Sequence, residues 1–126
     1  MNITATLTGT TDTRIMIGKQ SLLTGTDGKT YSPMHLLCAS IASCVATTMG
    51  VVAEGLGVDV TGVTVDIDYT MQQRPLRVST VDIAVNCPVA VTPAQRKALE
   101  SAAGRCPVKQ SLHPDITVNM AITFAD

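Results

Sequence analysis

The sequence predicts an α+β fold in a single domain, residues 1–126. Apolar residues make up 45% of the chain and charged residues 15%, the balance of a chain that folds around a core rather than of a disordered one. Period-two runs typical of β-strands are interspersed with apolar segments that carry helix-start signals. Their order is βββ-α-ββ-α-α-β, which lacks the regular strand–helix alternation of a parallel sheet. We therefore expect antiparallel sheets around a long central helix.

Three short strands are predicted before the first helix. Apolar residues alternate with threonines over residues 3–7, a pattern typical of a half-buried strand. Residues 14–18 and 21–24 are interpreted as two further strands. Asp27 and Gly28 then predict a hairpin turn.

A long helix is predicted from Ser32 to about Glu54. Ser32 can accept a first-turn amide proton, and Pro33 suits the first helical position. Gly55 and Gly57 supply the stop signal. The central turns carry no charged side chain, so the helix must be covered on every side. A domain of this size has few elements to cover it, and we expect a homodimer with this helix at or near the interface.

Two strands and their connection are predicted next. Residues 58–69 alternate in two phases, with a slip at Thr61 and Gly62 that predicts a β-bulge. Residues 76–87 show the same kind of slip between Val78 and Val81. A short connection joins the two strands into an antiparallel hairpin.

Two helices and a strand complete the predicted order. Thr92 and Gln95 form a capping box that opens a helix to about Ala103. Cys106, followed by proline, resembles the start of a second, shorter helix. Residues 116–124 alternate apolar with smaller or polar side chains, as a strand does.

Charge and hydropathy exclude several classes of protein. Nucleic-acid binding is not expected, because a net charge of −1 provides no basic surface for phosphates and three aromatic residues are few for base stacking. Residues 36–53 are uncharged over a length that just reaches a membrane span, but their serines and threonines and the absence of an aromatic belt favour a buried helix. The first residues show no secretory signal. Four cysteines without such a signal indicate a reducing, cytoplasmic setting.

The four cysteines are the main candidates for chemistry, because nucleotide-binding, metalloprotease and CxxC motifs are absent. Cys87 is interpreted as a core residue. His35 and Cys38, three apart on the helix, could share a metal ion, although no second ligand pair has suitable spacing. The simpler interpretation is a first-turn histidine and a small core cysteine.

Cys44 and Cys106 differ in their sequence surroundings. Cys44 lies within the neutral helix, where a free cysteine is most simply inert packing. Cys106 follows Arg105, begins a helix and has Lys109 one turn on. A helix N-terminus and nearby cations favour a thiolate, so a lowered pKa is expected for Cys106. A plain N-cap role is equally compatible with its position.

Two motifs resemble the OsmC/Ohr family, the osmotically inducible protein C and organic hydroperoxide resistance proteins. They are SPMHLLCASIASC, ending at Cys44, and CPVKQSL, starting 62 positions later at Cys106. The resemblance implies an intertwined α+β homodimer whose two cysteines lie close together at a site formed by both subunits. It also implies that Cys44 attacks a peroxide and that Cys106 resolves the product.

The implied activity is a thiol peroxidase of the oxidative stress response, acting on a small organic hydroperoxide with an external dithiol as reductant and with no cofactor or metal. An apolar pocket lined by Leu, Val and Met would favour organic hydroperoxides. The family's peroxidases carry a first-turn glutamate that orients an arginine. Here Met34 and His35 stand in that turn, and Arg14 is the only arginine before Cys44. A non-catalytic dimer that binds an apolar ligand or senses redox state is therefore the alternative.

Overall fold

A computed structural model describes all residues, Met1–Asp126, in two compact units, residues 1–37 and 38–126. Six strands and three helices follow one another in the predicted α+β order. Their bounds are β1 Ile3–Leu7, β2 Thr13–Ile17, β3 Gln20–Thr24, α1 Pro33–Gly55, β4 Thr64–Gln73, β5 Leu76–Cys87, α2 Pro93–Gly104, α3 Pro107–Gln110 and β6 Thr117–Phe124.

The first unit contains an antiparallel sheet in the order β1-β2-β3. A two-residue turn joins β2 to β3, and Gly18 adopts the positive φ of +58° that this turn requires. The half-buried pattern predicted for residues 3–7 is wrong for a single chain, because all of β1 is exposed. Ile3 is 67% exposed and Leu7 65% exposed. The apolar side chains of this edge strand are thus left uncovered in one chain.

The turn predicted at Asp27 and Gly28 forms, but it joins β3 to α1 instead of two paired strands. The Lys29 N–H donates to Asp27 Oδ1 over 2.8 Å, and Gly28 has a φ of +79°. The predicted start of α1 is confirmed: the His35 N–H donates to Ser32 Oγ over 3.2 Å, as an N-cap requires.

Helix α1 is buried along one stripe rather than on every side. The stripe recurs every three or four residues and comprises Cys38, Ile41, Val45, Met49 and Ala53. Val51, on another face, is 65% exposed, so one chain leaves this side of α1 uncovered, and its burial against a second copy stays a prediction. By length and composition alone α1 could cross a membrane, but its buried stripe is that of a core helix.

The strand predicted over residues 58–69 begins later than expected. Residues 61 and 62 form a turn, not a bulge, and β4 starts at Thr64. The Thr61 N–H donates to Asp59 Oδ1 over 2.9 Å, and Gly62 has a φ of +99°. Aspartate followed by a glycine of positive φ is turn chemistry, which produces the same phase slip as a bulge.

The bulge predicted within residues 76–87 is confirmed. The register of β4 and β5 passes from Thr70 opposite Thr80 to Met71 opposite Val78. Ser79 is the extra residue, and its Oγ donates to the Thr70 carbonyl over 3.0 Å. The antiparallel hairpin of β4 and β5 is formed as expected.

The last strand departs from the expected antiparallel arrangement, because β6 lies parallel to β5. Residues 88–116, which include α2 and α3, cross between these two neighbouring strands. A strand that returns through a helical crossover to the same sheet runs parallel to its predecessor. The sheet of the second unit is therefore mixed.

The core of residues 38–126 combines the buried stripe of α1 with one face of β5 and one side of α2. The β5 and α2 members are Val78, Val81, Ile83, Val85, Cys87, Leu99, Ala102 and Ala103. The capping box of α2 is confirmed: the Gln95 N–H donates to Thr92 Oγ1, and the Thr92 N–H donates to the Gln95 side chain. This core fixes α1 and the end of α2, the two elements that carry Cys44 and lead to Cys106.

Candidate functional site

The thiols of Cys44 and Cys106 lie within hydrogen-bonding distance of each other. Cys44 projects from the middle of α1, beside the buried stripe, and is half-buried. The Cys106 S–H donates to the Cys44 sulfur, and the Val108 N–H donates to it as well. Thr48 Oγ1 lies 3.9 Å from Cys44 Sγ. Cys44 is thus more than inert packing, because its sulfur meets a second thiol and two other polar groups.

Cys106 is the N-cap of α3, as predicted from the proline that follows it. Its sulfur accepts the Lys109 N–H over 3.3 Å, and the residue is completely buried. Without the sulfur, the part-buried Lys109 N–H would lose its acceptor, which is the loss of an N-cap. The Cys106 thiol therefore both opens α3 and contacts Cys44.

The two thiols have opposite pKa shifts. The Val108 N–H, followed by the Cys106 S–H and the Thr48 hydroxyl, lowers the pKa of Cys44 against the opposing effect of burial. Burial, together with the neighbouring Cys44 sulfur, raises the pKa of Cys106. The lowered pKa expected for Cys106 is therefore wrong. Its own thiol proton is the one donated to Cys44, so Cys44 is the better thiolate of the pair.

The cations next to Cys106 in sequence bond to carbonyl groups instead of its sulfur. The Arg105 Nε–H donates to the Ser101 carbonyl over 3.2 Å, and Lys109 Nζ donates to the Gly104 carbonyl over 3.0 Å. Both carbonyls belong to the last turns of α2, which present unpaired acceptors. These two bonds tie the segment after α2 to the end of that helix, and so position Cys106.

The other predicted candidates have their own surroundings. Cys38 and Cys87 are buried, 7% and 0% exposed, as core residues should be, and burial raises the pKa of Cys38. His35 Nδ1 accepts the Ser32 N–H over 3.1 Å. Arg14 is exposed on β2, in the first unit. No three His, Cys, Asp or Glu side chains are grouped so that they could hold a metal ion.

Two grooves of the second unit differ from the apolar pocket expected at Cys44. One groove, of about 540 Å³, is lined by residues 58–63 and by an exposed side of α1 that includes Thr47 and Glu54. Another, of about 640 Å³, lies over the polar face of the sheet of β4, β5 and β6. Neither is lined by Cys44 or Cys106. The pocket lined by Leu, Val and Met is not formed there by these residues.

Two groups at Cys44 were not identified from the sequence. The Val108 contribution comes from a backbone N–H, which no side-chain motif can reveal. The contact of Thr48 could have been predicted from the sequence, because Thr48 lies four residues after Cys44 and so on the same helical face. Its hydroxyl is the only polar side-chain group of α1 found at the Cys44 sulfur.

A family model and solved structures resemble this chain. A model described as OsmC-like protein matches residues 26–121. No curated protein sequence matches. A Psychrobacter arcticus protein described as an osmotic stress induced and detoxification response protein is 29% identical, with a TM-score of 0.89 over 98% of this chain and 96% of that one.

Two further structures share the fold at lower identity. The OsmC like protein of Mycoplasma pneumoniae is 13% identical, with a TM-score of 0.87 over 99% of this chain and 96% of that one. An organic hydroperoxide resistance protein of Elizabethkingia anophelis is 18% identical, with a TM-score of 0.77 over 99% and 97%. Their likeness extends over the full order of strands and helices described above.

Proposed function

The chain belongs to the OsmC-like family, and from this premise we propose that it is a thiol peroxidase that reduces organic hydroperoxides. One observation carries the proposal: the Cys44 and Cys106 thiols are in hydrogen-bonding contact, and their pKa values are shifted in opposite directions. A two-cysteine cycle needs one thiolate that attacks and one thiol within reach that resolves. The organic hydroperoxide resistance protein with the same fold supports the substrate class.

The proposed cycle has three steps. The Cys44 thiolate attacks the terminal oxygen of ROOH, the O–O bond breaks, and the alkoxide takes a proton from solvent to leave as ROH. Cys44 is now a sulfenic acid. The Cys106 sulfur attacks the Cys44 sulfur, and the hydroxyl group leaves as water with the Cys106 proton. The resulting disulfide is reduced by an external dithiol, which is oxidised to its own disulfide.

The lowered pKa of Cys44 and the raised pKa of Cys106 suit this division of roles. The thiolate is the reactive form of cysteine, so the thiol with the lower pKa attacks first. Cys106 stays protonated and donates to Cys44 until the sulfenic acid forms. Nothing in the cycle calls for a metal or an organic cofactor.

We also propose that the protein acts as a cytoplasmic homodimer. The exposed apolar side chains of β1 and the uncovered side of α1 support burial against a second copy of the chain. A second copy could also supply apolar walls beside Cys44.

Turnover of cumene hydroperoxide with dithiothreitol tests the proposal. The Cys44→Ser variant should lose peroxide consumption completely, because a serine hydroxyl is not ionised at neutral pH. Without dithiothreitol, which would reduce a sulfenic acid directly, the Cys106→Ser variant should consume one equivalent of peroxide and stop at the sulfenic acid, which dimedone traps. Cys38→Ser, on the same helix but buried apart from the pair, is the matched control. Full turnover by Cys44→Ser would eliminate the proposal.

A redox-sensing dimer is the second candidate, because the groups that lower the pKa of Cys44 are uncharged. Without a positioned cation, the thiolate could react once without rapid recycling. Such a sensor would form one disulfide per chain with hydroperoxide yet show no sustained consumption with excess dithiothreitol. Sustained consumption would exclude it.

A further inference from the structure

The helical turn after Cys44 carries a hydroxyl group at the cysteine sulfur. Thr48 Oγ1 is 3.9 Å from Cys44 Sγ, and both side chains are half-buried. Residues four apart lie on the same face of an α-helix. The contact is therefore fixed by the backbone of α1, which is anchored in the core by the adjacent stripe that includes Val45 and Met49.

The donors around Cys44 are few and uncharged. They are the Val108 N–H, the Cys106 S–H and the Thr48 hydroxyl. Hydrogen bonds that favour the charged form of a thiol stabilise the thiolate. None of these donors is a cation, and the Thr48 hydroxyl makes the smallest contribution of the three. Threonine also has a close steric equivalent in valine, which would fill the same space without the donor.

We propose that Thr48 is a positioning residue for the reaction: its hydroxyl donates to the Cys44 thiolate and, with the Val108 N–H, holds that sulfur beside Cys106. The inference rests on the proposed role of Cys44 as the attacking thiolate. The competing arrangement is a threonine hydroxyl that donates to the backbone carbonyl four residues earlier, which is common in helices. That arrangement would leave the thiolate without help from Thr48.

Three variants separate these arrangements. Thr48→Val removes the hydroxyl and keeps the shape, Thr48→Ser keeps the hydroxyl, and Thr47→Val makes the same change at the neighbouring exposed position that lines the groove at residues 58–63. The measurement is the rate of Cys44 alkylation by iodoacetamide between about pH 5 and about pH 10, read by mass spectrometry of the Cys44 peptide. The midpoint of this pH profile gives the pKa of Cys44.

We expect Thr48→Val to raise the pKa of Cys44 by about 0.3 to 0.5 unit, so that the thiolate fraction below the pKa falls about two- to threefold. Thr48→Ser and Thr47→Val should keep the wild-type profile. An unchanged profile in Thr48→Val would overturn the proposal. So would a Thr48→Ser profile that matches Thr48→Val, or an equal shift in Thr47→Val.

The alkylation assay needs no peroxide, so it is independent of the peroxidase proposal. A shifted profile in Thr48→Val without peroxide turnover by the wild type would count against the proposed function alone. An unshifted profile beside full turnover would count against Thr48 alone. Where the wild type does turn over, Thr48→Val should show its rate loss at low pH and recover at high pH, where Cys44 is fully ionised in both proteins.

Discussion

Replacing Cys106 by alanine or by serine separates its two structural roles from its proposed chemical role. The Cys106 sulfur accepts the Lys109 N–H as the N-cap of α3, and its S–H donates to Cys44. Alanine removes both the acceptor and the donor. Serine retains both with a hydroxyl group, which is also a preferred N-cap. Neither variant can form a disulfide with Cys44.

The expected magnitudes follow from these contacts. Loss of an N-cap acceptor costs about 1 kcal/mol, and the removal of a buried sulfur adds the lost packing of a residue that is 0% exposed. We therefore expect Cys106→Ala to lower the free energy of unfolding by about 1 to 3 kcal/mol and Cys106→Ser by less. Because Cys44 is only half-buried, losing one donor should raise its pKa by only about 0.5 to 1 unit in Cys106→Ala.

Urea denaturation gives the stability change, and the pH profile of Cys44 alkylation gives the pKa change. Cys106→Ser should stay close to wild type in both, although it cannot complete the peroxide cycle. A Cys106→Ser variant with the same raised pKa of Cys44 as Cys106→Ala would refute the assignment of the Cys106 proton as a donor to Cys44. Equal unfolding free energies in all three proteins would refute the N-cap role.

Three other predictions concern the core, pH and assembly. Ile41→Ala, at a fully buried position, should lower the free energy of unfolding by about 2–5 kcal/mol in urea denaturation. Leu76→Ala, at a position that is 70% exposed, should change it by less than about 0.5 kcal/mol. Equal losses in the two variants would contradict the assignment of Ile41 to the core. Burial raises the pKa of Cys38, so the folded state holds this proton longer than the unfolded state. The free energy of unfolding of the wild type, relative to that of Cys38→Ser, should then fall as the pH rises above about 8.5, the ordinary pKa of cysteine. A relative stability that increases with pH would contradict the raised pKa of Cys38. Sedimentation should show a dimer that Leu7→Lys weakens, and a monomeric wild type at micromolar concentration would contradict the proposed assembly.

Much of the fold follows from local sequence signals. The caps at Ser32 and Thr92 mark helix starts, and the phase slip before Val81 marks a real bulge. The same kind of slip at Gly62 marks a turn instead, since Asp59 accepts the Thr61 N–H there. Hydrophobic periodicity detects the slip but does not distinguish these two causes.

The parallel pairing of β5 with β6 could not be predicted in the same way. An alternating strand pattern carries no information about the direction of its neighbour. The direction is set by the crossover through α2 and α3, which is a property of the whole unit.

The contact between the two candidate cysteines was predictable, but its electrostatics were not. The paired motifs imply that Cys44 and Cys106 lie close together, and the proline after Cys106 indicates its N-cap position. The cations beside Cys106 in sequence wrongly predicted a lowered pKa for its thiol, because Arg105 and Lys109 donate to carbonyl groups at the end of α2. The pKa of Cys44 is lowered chiefly by the Val108 N–H, a backbone group far away in sequence that only the tertiary fold brings to the sulfur.

The most direct test of the account is mass spectrometry of the reduced protein after brief exposure to one equivalent of cumene hydroperoxide. We expect a Cys44–Cys106 disulfide as the first oxidised product, with Cys38 and Cys87 still reduced. Oxidation that begins at another cysteine, or a Cys44 sulfenic acid that persists while Cys106 remains a free thiol, would contradict the pairing of these two sulfurs in one reaction.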